Sequence, residues 1–212
     1  MLNKVRAVTR ADIIVPRTSR IPWELVLVII FGTLMALYAR IAIYLPFTAV
    51  PITGQTLGVL LTGALLGSRR GALAMVAYLG EGFVGLPVFA GGTSAWSLSV
   101  LGEPVIAGPT AGYLFSYPLA AFLVGFLAER GWDRRFWRAL AAMMVGEITI
   151  YAIGLPWLAL FVGPAQALPL GLLPFIPGDI VKLLLAAAVL PSGWRFLTAI
   201  GWVRPGTHPT DP

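Results

Sequence analysis

Cysteine is absent from this 212-residue chain, and histidine occurs once, as His208. Without thiols the chain has no disulfides, no thiolate metal sites and no cysteine nucleophile. A single histidine, in Pro205-Gly206-Thr207-His208-Pro209, falls short of the several ligands a metal site needs and reads as a solvated tail residue. Charge is scarce as well: Asp, Glu, Lys and Arg make up 11% of the chain, against roughly 25% in a soluble domain. Catalytic signatures are missing too. There is no His-Glu-x-x-His, no Gly-x-Ser-x-Gly and no Gly-x-x-x-x-Gly-Lys-[Ser/Thr]. Gly108-Pro109-Thr110-Ala111-Gly112 is not a nucleotide loop, because no Lys-Ser or Lys-Thr follows it. Any active transport must therefore draw its energy from another subunit or from an ion gradient.

What is abundant is apolar surface. Hydrophobic residues account for 58% of the chain, and the mean hydropathy is +0.86. Such a composition describes an integral membrane protein, and the length fits a single domain. A membrane span takes ~20 mostly apolar residues. Six segments approach that: 23–44, 54–66, 72–86, 105–127, 136–160 and 172–190. The second and third are short and flank Gly67-Ser68-Arg69-Arg70-Gly71, so they read as a helical hairpin. The expected organisation is a basic segment over 1–22, a six-helix all-α membrane domain over 23–190 and a tail over 191–212. Met1 to Arg20 lacks an apolar core followed by a small-residue cleavage site, so the first span is expected to be retained.

The net charge of +6 could suggest nucleic acid, but the basic residues sit beside the apolar segments. With six spans, every Lys and Arg except Arg40 and Lys182 falls on the side of the two chain ends. The positive-inside rule then places both termini in the cytoplasm. The loops on the opposite side hold no Lys or Arg.

Charged groups within spans are expensive and usually functional. Asp179 and Lys182 stand out, in Pro177-Gly178-Asp179-Ile180-Val181-Lys182 ahead of an apolar run. Their spacing of three places an acceptor and a donor about one helical turn apart on one face. Two readings stand: a polar pocket that presents both to a ligand, or a buried ion pair that locks helices together. Arg40 and Glu81 lie near the outer ends of spans, where each can snorkel or reach a ligand. Glu147 lies nearer mid-membrane and either satisfies helix contacts or acts with Asp179 as an acid–base pair of an intramembrane enzyme. The outer segments combine paired glycines with Phe89, Trp96 and Tyr113, which suits ordinary turns or a lid over a pocket. Gly32, Ala36 and Ala39 form a row of small residues on the first span, fit for close approach of another helix, inside the fold or in a partner subunit.

The motif Leu45-Pro46-Phe47-Thr48-Ala49-Val50-Pro51-Ile52-Thr53-Gly54-Gln55-Thr56-Leu57-Gly58-Val59 resembles the signature of the BioY family, the biotin-binding S components of energy-coupling factor (ECF) transporters. Further similar stretches follow in the same order: Gly63-Ala64-Leu65-Leu66-Gly67-Ser68-Arg69-Arg70-Gly71, Gly85-Leu86-Pro87-Val88-Phe89-Ala90-Gly91-Gly92, Gly108 to Tyr113, and Pro174-Phe175-Ile176-Pro177-Gly178-Asp179-Ile180-Val181-Lys182. The resemblance implies an S-component fold in a prokaryotic plasma membrane. It also implies a complex with a transmembrane coupling subunit and two cytoplasmic ATPases, in which this chain carries no cofactor. It implies further that Asp179 and Lys182 contact the bicyclic head of biotin, that Phe89 and Tyr113 pack against its ring and tail, and that Gln55 bonds the ligand or braces the loop. The biotin carboxylate is expected at hydroxyls or backbone N–H groups of the loop around Gly91, Gly92, Thr93 and Ser94, with Arg40 as the second-choice alternative. An S component for a different vitamin would share the fold and change only the pocket. The chain departs from the family pattern at Ala49, at Gly54 and over 94–104.

Overall fold

The structure, a computed structural model, describes residues 20–200 of the chain. Most of the basic segment before residue 23, and the last part of the tail, 201–212 with His208, lie outside the described residues. Helix α1 (Arg20–Arg40) is followed by two short strands, β1 (Ala42–Ile43) and β2 (Ile52–Thr53), paired antiparallel with Ala42 opposite Thr53. Helices α2 (Gln55–Leu66) and α3 (Ser68–Phe83) form the expected hairpin. A long loop with a 3₁₀ turn at Ala90–Gly92 leads to α4 (Ala111–Ala128). A second 3₁₀ turn (Trp132–Arg134), α5 (Phe136–Val162), the short α6 (Pro164–Gly171) and α7 (Ile176–Ala199) complete the chain.

Four of these helices, α1, α4, α5 and α7, are long and apolar enough to cross a bilayer. The hairpin helices are shorter, at 12 and 16 residues. At 1.5 Å per residue they rise only about 18 and 24 Å, less than the ~30 Å of a typical hydrocarbon core.

Several boundaries differ from the expected ones, each for a local reason. The first helix ends at Arg40 rather than residue 44, because the chain turns into the β1–β2 hairpin and Gly54 N–H donates to Ile41 C=O at 2.9 Å. The third helix begins at Ser68 rather than 72: Gly67 alone, at φ +85°, makes the turn, so Arg69 and Arg70 sit in the first turn of α3. Residues 105–110 belong to the outer loop, not to a span, since Val105 and Ile106 N–H donate to Ser97 and Ala95 C=O. The last expected span begins later than 172: residues 172–175 form the turn after α6, and α7 starts at Ile176 with Pro177 in its first turn. Helix α7 continues past Pro191 to Ala199, beyond the expected limit at 190, because Trp194 is buried there and its Nε1–H donates to the buried carboxylate of Asp133.

The basic end of the bundle is tied together by polar contacts. Ser68 offers its N–H and hydroxyl to Glu129 Oε1 at 2.7 and 2.8 Å, Arg70 pairs with Glu24 at 2.8 Å, and the Arg134 guanidinium lies 4.4 Å over the Trp194 ring. The opposite end carries the β hairpin, the long loop and α6. Arg40 and Lys182 therefore lie away from the other basic residues of the described part.

Between helices in lipid, close packing replaces the hydrophobic effect as the main attraction, so small residues mark the contacts. A Cβ on Gly63 would come within 2.5 Å of Ala121 O, and one on Gly125 within 2.3 Å of the Gly67 carbonyl carbon. The row Gly32, Ala36 and Ala39, for which packing inside the fold and contact with a partner subunit were both expected readings, packs inside the fold. Gly32 lies against Ala74 and Ala77 of α3, Ala36 packs on the core, and Ala39 is fully buried. The face of α1 left exposed is instead the large aliphatic one, including Leu25, Ile29 and Leu37.

Gly125→Ala is expected to lower stability by about 2 kcal/mol, because the new methyl meets backbone that has no side chain to move aside. Gly80→Ala, with nothing within 4 Å of the added carbon, is expected to raise it by about 0.5–1 kcal/mol. Thermal unfolding of both purified variants in one detergent checks the pair.

Candidate ligand-binding site

Helix α7 begins at a site suited to a carboxylate. Pro177 occupies the first turn, where its missing N–H costs nothing, and Asp179 follows within that turn, where the helix dipole favours negative charge. Three residues on, Lys182 Nζ lies 3.0 Å from Asp179 Oδ1. The pair is intrahelical, so it does not itself join two helices. Its remaining partners do: Tyr151 of α5 donates its hydroxyl to Asp179 Oδ2, and Lys182 donates to Thr56 Oγ1 of α2 at 3.1 Å. Side-chain exposure is 7% for Asp179 and 15% for Lys182.

This pair forms part of the wall of a cavity of about 140 Å³. A water needs ~10–15 Å³ on this measure, so the space suits a small organic molecule. Polar groups from Gln55, Thr56, Asp179 and Lys182 reach it, and Val50, Phe89, Val105, Leu114 and Phe175 supply apolar walls. Exposed Tyr44, Leu98 and Val100 also line it, which puts its mouth at the end opposite the basic residues.

The aromatic walls are fixed from behind. Phe89 is buried and meets Tyr78 edge to face at 5.3 Å, while the Tyr78 hydroxyl donates to Val88 C=O at 3.0 Å and accepts from Gln55 Nε2 at 2.6 Å. Gln55 thus braces the loop that carries Phe89. Tyr113 donates its hydroxyl to Gly171 C=O at 3.0 Å and stands edge-on to Tyr151. Gly154 and Gly171 make room for it, since a Cβ on either would fall within 2.6 Å of Tyr113 atoms. The glycines of the 108–112 stretch serve packing in the same way: Gly112 lies flush against Trp157, whose indole N–H donates to Gly108 C=O at 2.9 Å.

Of the expected site residues, the cavity brings together Asp179, Lys182, Gln55, Phe89 and Tyr113. Gly91 and Gly92 stand behind its rim, where positive φ lets the backbone approach Tyr44 and Arg40. Glu147 is buried behind the pair, close enough to feel the charges of Asp179 and Lys182, and among the described residues its Oε1 has no hydrogen-bond partner. Glu81 lies elsewhere, accepting from Thr33 of α1 at 3.0 Å, and Trp96 turns its N–H to Phe83 C=O. Tyr151 and Thr56 are cavity residues that sequence reasoning missed. The signal was available for Tyr151, which follows Glu147 by four residues and so shares its helical face.

A polytopic helical membrane protein with a mixed polar and aromatic cavity at one end of its bundle is, by fold and site, a small-molecule-binding membrane protein. The chain belongs to the BioY family, whose model matches residues 10–199. The biotin transporter BioY of Rhizobium etli is 38% identical over 173 residues, covering 77% of this chain and 89% of that protein. A probable biotin transporter BioY of Pyrococcus horikoshii is 40% identical over 159 residues, covering 75% and 88%. The crystal structure of the S-component for biotin from an ECF-type ABC transporter shares the fold, with a TM-score of 0.70 at 24% identity over 85% of this chain and 95% of that one. These relatives make the chain a membrane protein of prokaryotic type.

Removing one member of the Asp179–Lys182 pair leaves the other buried and uncompensated. Asp179→Asn and Lys182→Met are each expected to cost about 3 kcal/mol of stability in the ligand-free protein, and the double variant less than the sum. Unfolding of the three variants in detergent measures the coupling.

Proposed function

We propose that this chain is the biotin-capturing S component of an ECF-type uptake transporter in a prokaryotic plasma membrane. Its cavity faces outward, and its basic end and both termini face the cytoplasm. A transmembrane coupling subunit and two cytoplasmic ATPases drive import; ATP is used only by them, and the chain itself needs no cofactor. The observation that carries this reading is the Asp179–Lys182 pair in the cavity wall, in a chain whose relatives are named biotin transporters.

The chemistry follows from counting hydrogen-bond sites. An ammonium has three donors and a carboxylate about four acceptor sites. Asp179 and Thr56 engage two of the Lys182 donors, and each Asp179 oxygen already accepts one bond. One donor and two acceptor sites remain for the ligand. The ureido ring of biotin offers a carbonyl acceptor beside N–H donors, so it fits what is left without breaking the ion pair. Hydrogen bonds to charged groups in a dry site contribute about 1.5–3 kcal/mol each. Phe89 and Tyr113 supply flat apolar surface for the sulfur-containing ring and the aliphatic tail. Tyr151 and Thr56 hold the two charged side chains in place, so that binding requires little reorganisation.

Titration of the purified protein with biotin tests the reading, with thiamine and riboflavin as competitors. Submicromolar affinity for biotin and indifference to the other vitamins are expected. Asp179→Asn and Lys182→Ala are each expected to weaken binding by about 10- to 100-fold. Binding no tighter than micromolar, or affinity unchanged in both variants, would falsify it.

A further inference from the structure

The polar groups deep in the cavity are self-neutralised, because Lys182, the one cation lining it among the described residues, is bonded to Asp179. Such a floor suits a neutral head group. A biotin-like ligand also carries a carboxylate at its far end, and the rim must account for it.

The loop expected to do so has spent most of its donors on itself. Thr93 Oγ1 donates to Ala90 C=O at 3.0 Å, Ser94 N–H donates to Ser97 Oγ at 2.9 Å, and Gly92 N–H donates to Phe89 C=O at 2.9 Å. The Ser94 hydroxyl lies 3.2 Å from that of Ser97. Beside this loop stands Arg40, exposed, in the last turn of α1. Of its five N–H donors, one makes a side-chain bond among the described residues, from Nη2 to Pro87 C=O at 3.3 Å. Among the described residues no carboxylate pairs with it. Gly92, at φ +79°, lies so close that a Cβ there would stand 2.6 Å from Arg40 Nη1. Ala90 and Thr93, on either side of the Gly91–Gly92 pair, both line the cavity. Glycine at 92 therefore lets the guanidinium rest against the rim.

We propose that Arg40 recognises the carboxylate at the outer end of the ligand and sets a preference for the free acid over its neutral esters. The inference rests on the biotin reading of the cavity. A guanidinium offers a fork of parallel donors that matches a carboxylate, and it stays charged at any physiological pH. Being exposed, it contributes less than a buried charged pair, so the expected preference is about tenfold.

The test titrates the full-length protein with biotin and with biotin methyl ester, for wild type and Arg40→Gln, which keeps a donor for Pro87 C=O. Wild type is expected to bind the acid about tenfold more tightly than the ester, with the difference shrinking as salt is raised. Arg40→Gln is expected to bind both alike, at the wild-type affinity for the ester. An unchanged acid-to-ester ratio in the variant overturns the proposal, as does equal binding of both by wild type. Loss of the ester together with the acid also overturns it, since Arg40 would then support the loop through Pro87 rather than the ligand. Should wild type bind neither compound, the biotin reading itself falls and this assignment falls with it.

Discussion

An ammonium and a carboxylate can persist inside a membrane protein only while their donors and lone pairs are met by other polar groups. Asp179 and Lys182 satisfy part of that demand between themselves, one turn apart on α7. The rest comes from other helices, through Tyr151 on α5 and Thr56 on α2. The position of three helices relative to one another is thus written into the bonds of a single ion pair. Breaking the bundle anywhere near it exposes charge to a medium that does not solvate it. The same pair, with sites still open toward a cavity, supplies the polarity by which a ligand is held on the proposed reading. Structural lock and ligand site are two uses of one set of side chains.

Keeping the bundle closed around that cavity falls to small residues. Lipid gives apolar side chains no reason to leave it for one another, so helices adhere where their backbones approach closely. Gly63 against Ala121 and Gly125 against the Gly67 turn pull α4 onto the hairpin. Gly112 against Trp157 and Gly154 against Tyr113 seat α4 on α5. These contacts bring Tyr113 of α4 and Tyr151 of α5 to the cavity that Asp179 of α7 also lines. Large aromatic rings then fill the spaces that the glycines leave, with Phe89 on Tyr78 and Tyr113 on Tyr151 as edge-to-face pairs.

The site was partly legible because some of its logic is local. A spacing of three within an apolar helix announces the Asp179–Lys182 pair without reference to the rest of the chain. Phe89 and Tyr113 were marked by the glycine-rich aromatic outer segments and, with Gln55, by motif resemblance, and the cavity gathers all three. Thr56 and Tyr151 escaped notice because a threonine or tyrosine in a span is unremarkable until its partner is known, and their partners are 126 and 28 residues away. The small-residue row on α1 showed that something packs closely there, but not what. Its occupant is α3 of the same chain. Likewise the Gly91–Gly92 pair signalled close backbone approach, and what approaches is the Tyr44 hydroxyl and the Arg40 guanidinium.

Composition, charge asymmetry and helix-scale spacing, properties each segment carries alone, determined that this is a helical membrane protein with its basic residues on one side and an acid–base pair at the start of its last span. Tertiary structure decided which polar groups meet that pair, which face of α1 remains exposed and which residues stand around the cavity. Those outcomes depend on approaches between residues far apart in the chain. Such approaches are governed by where backbones can touch, and that shape exists only once all the helices are in place.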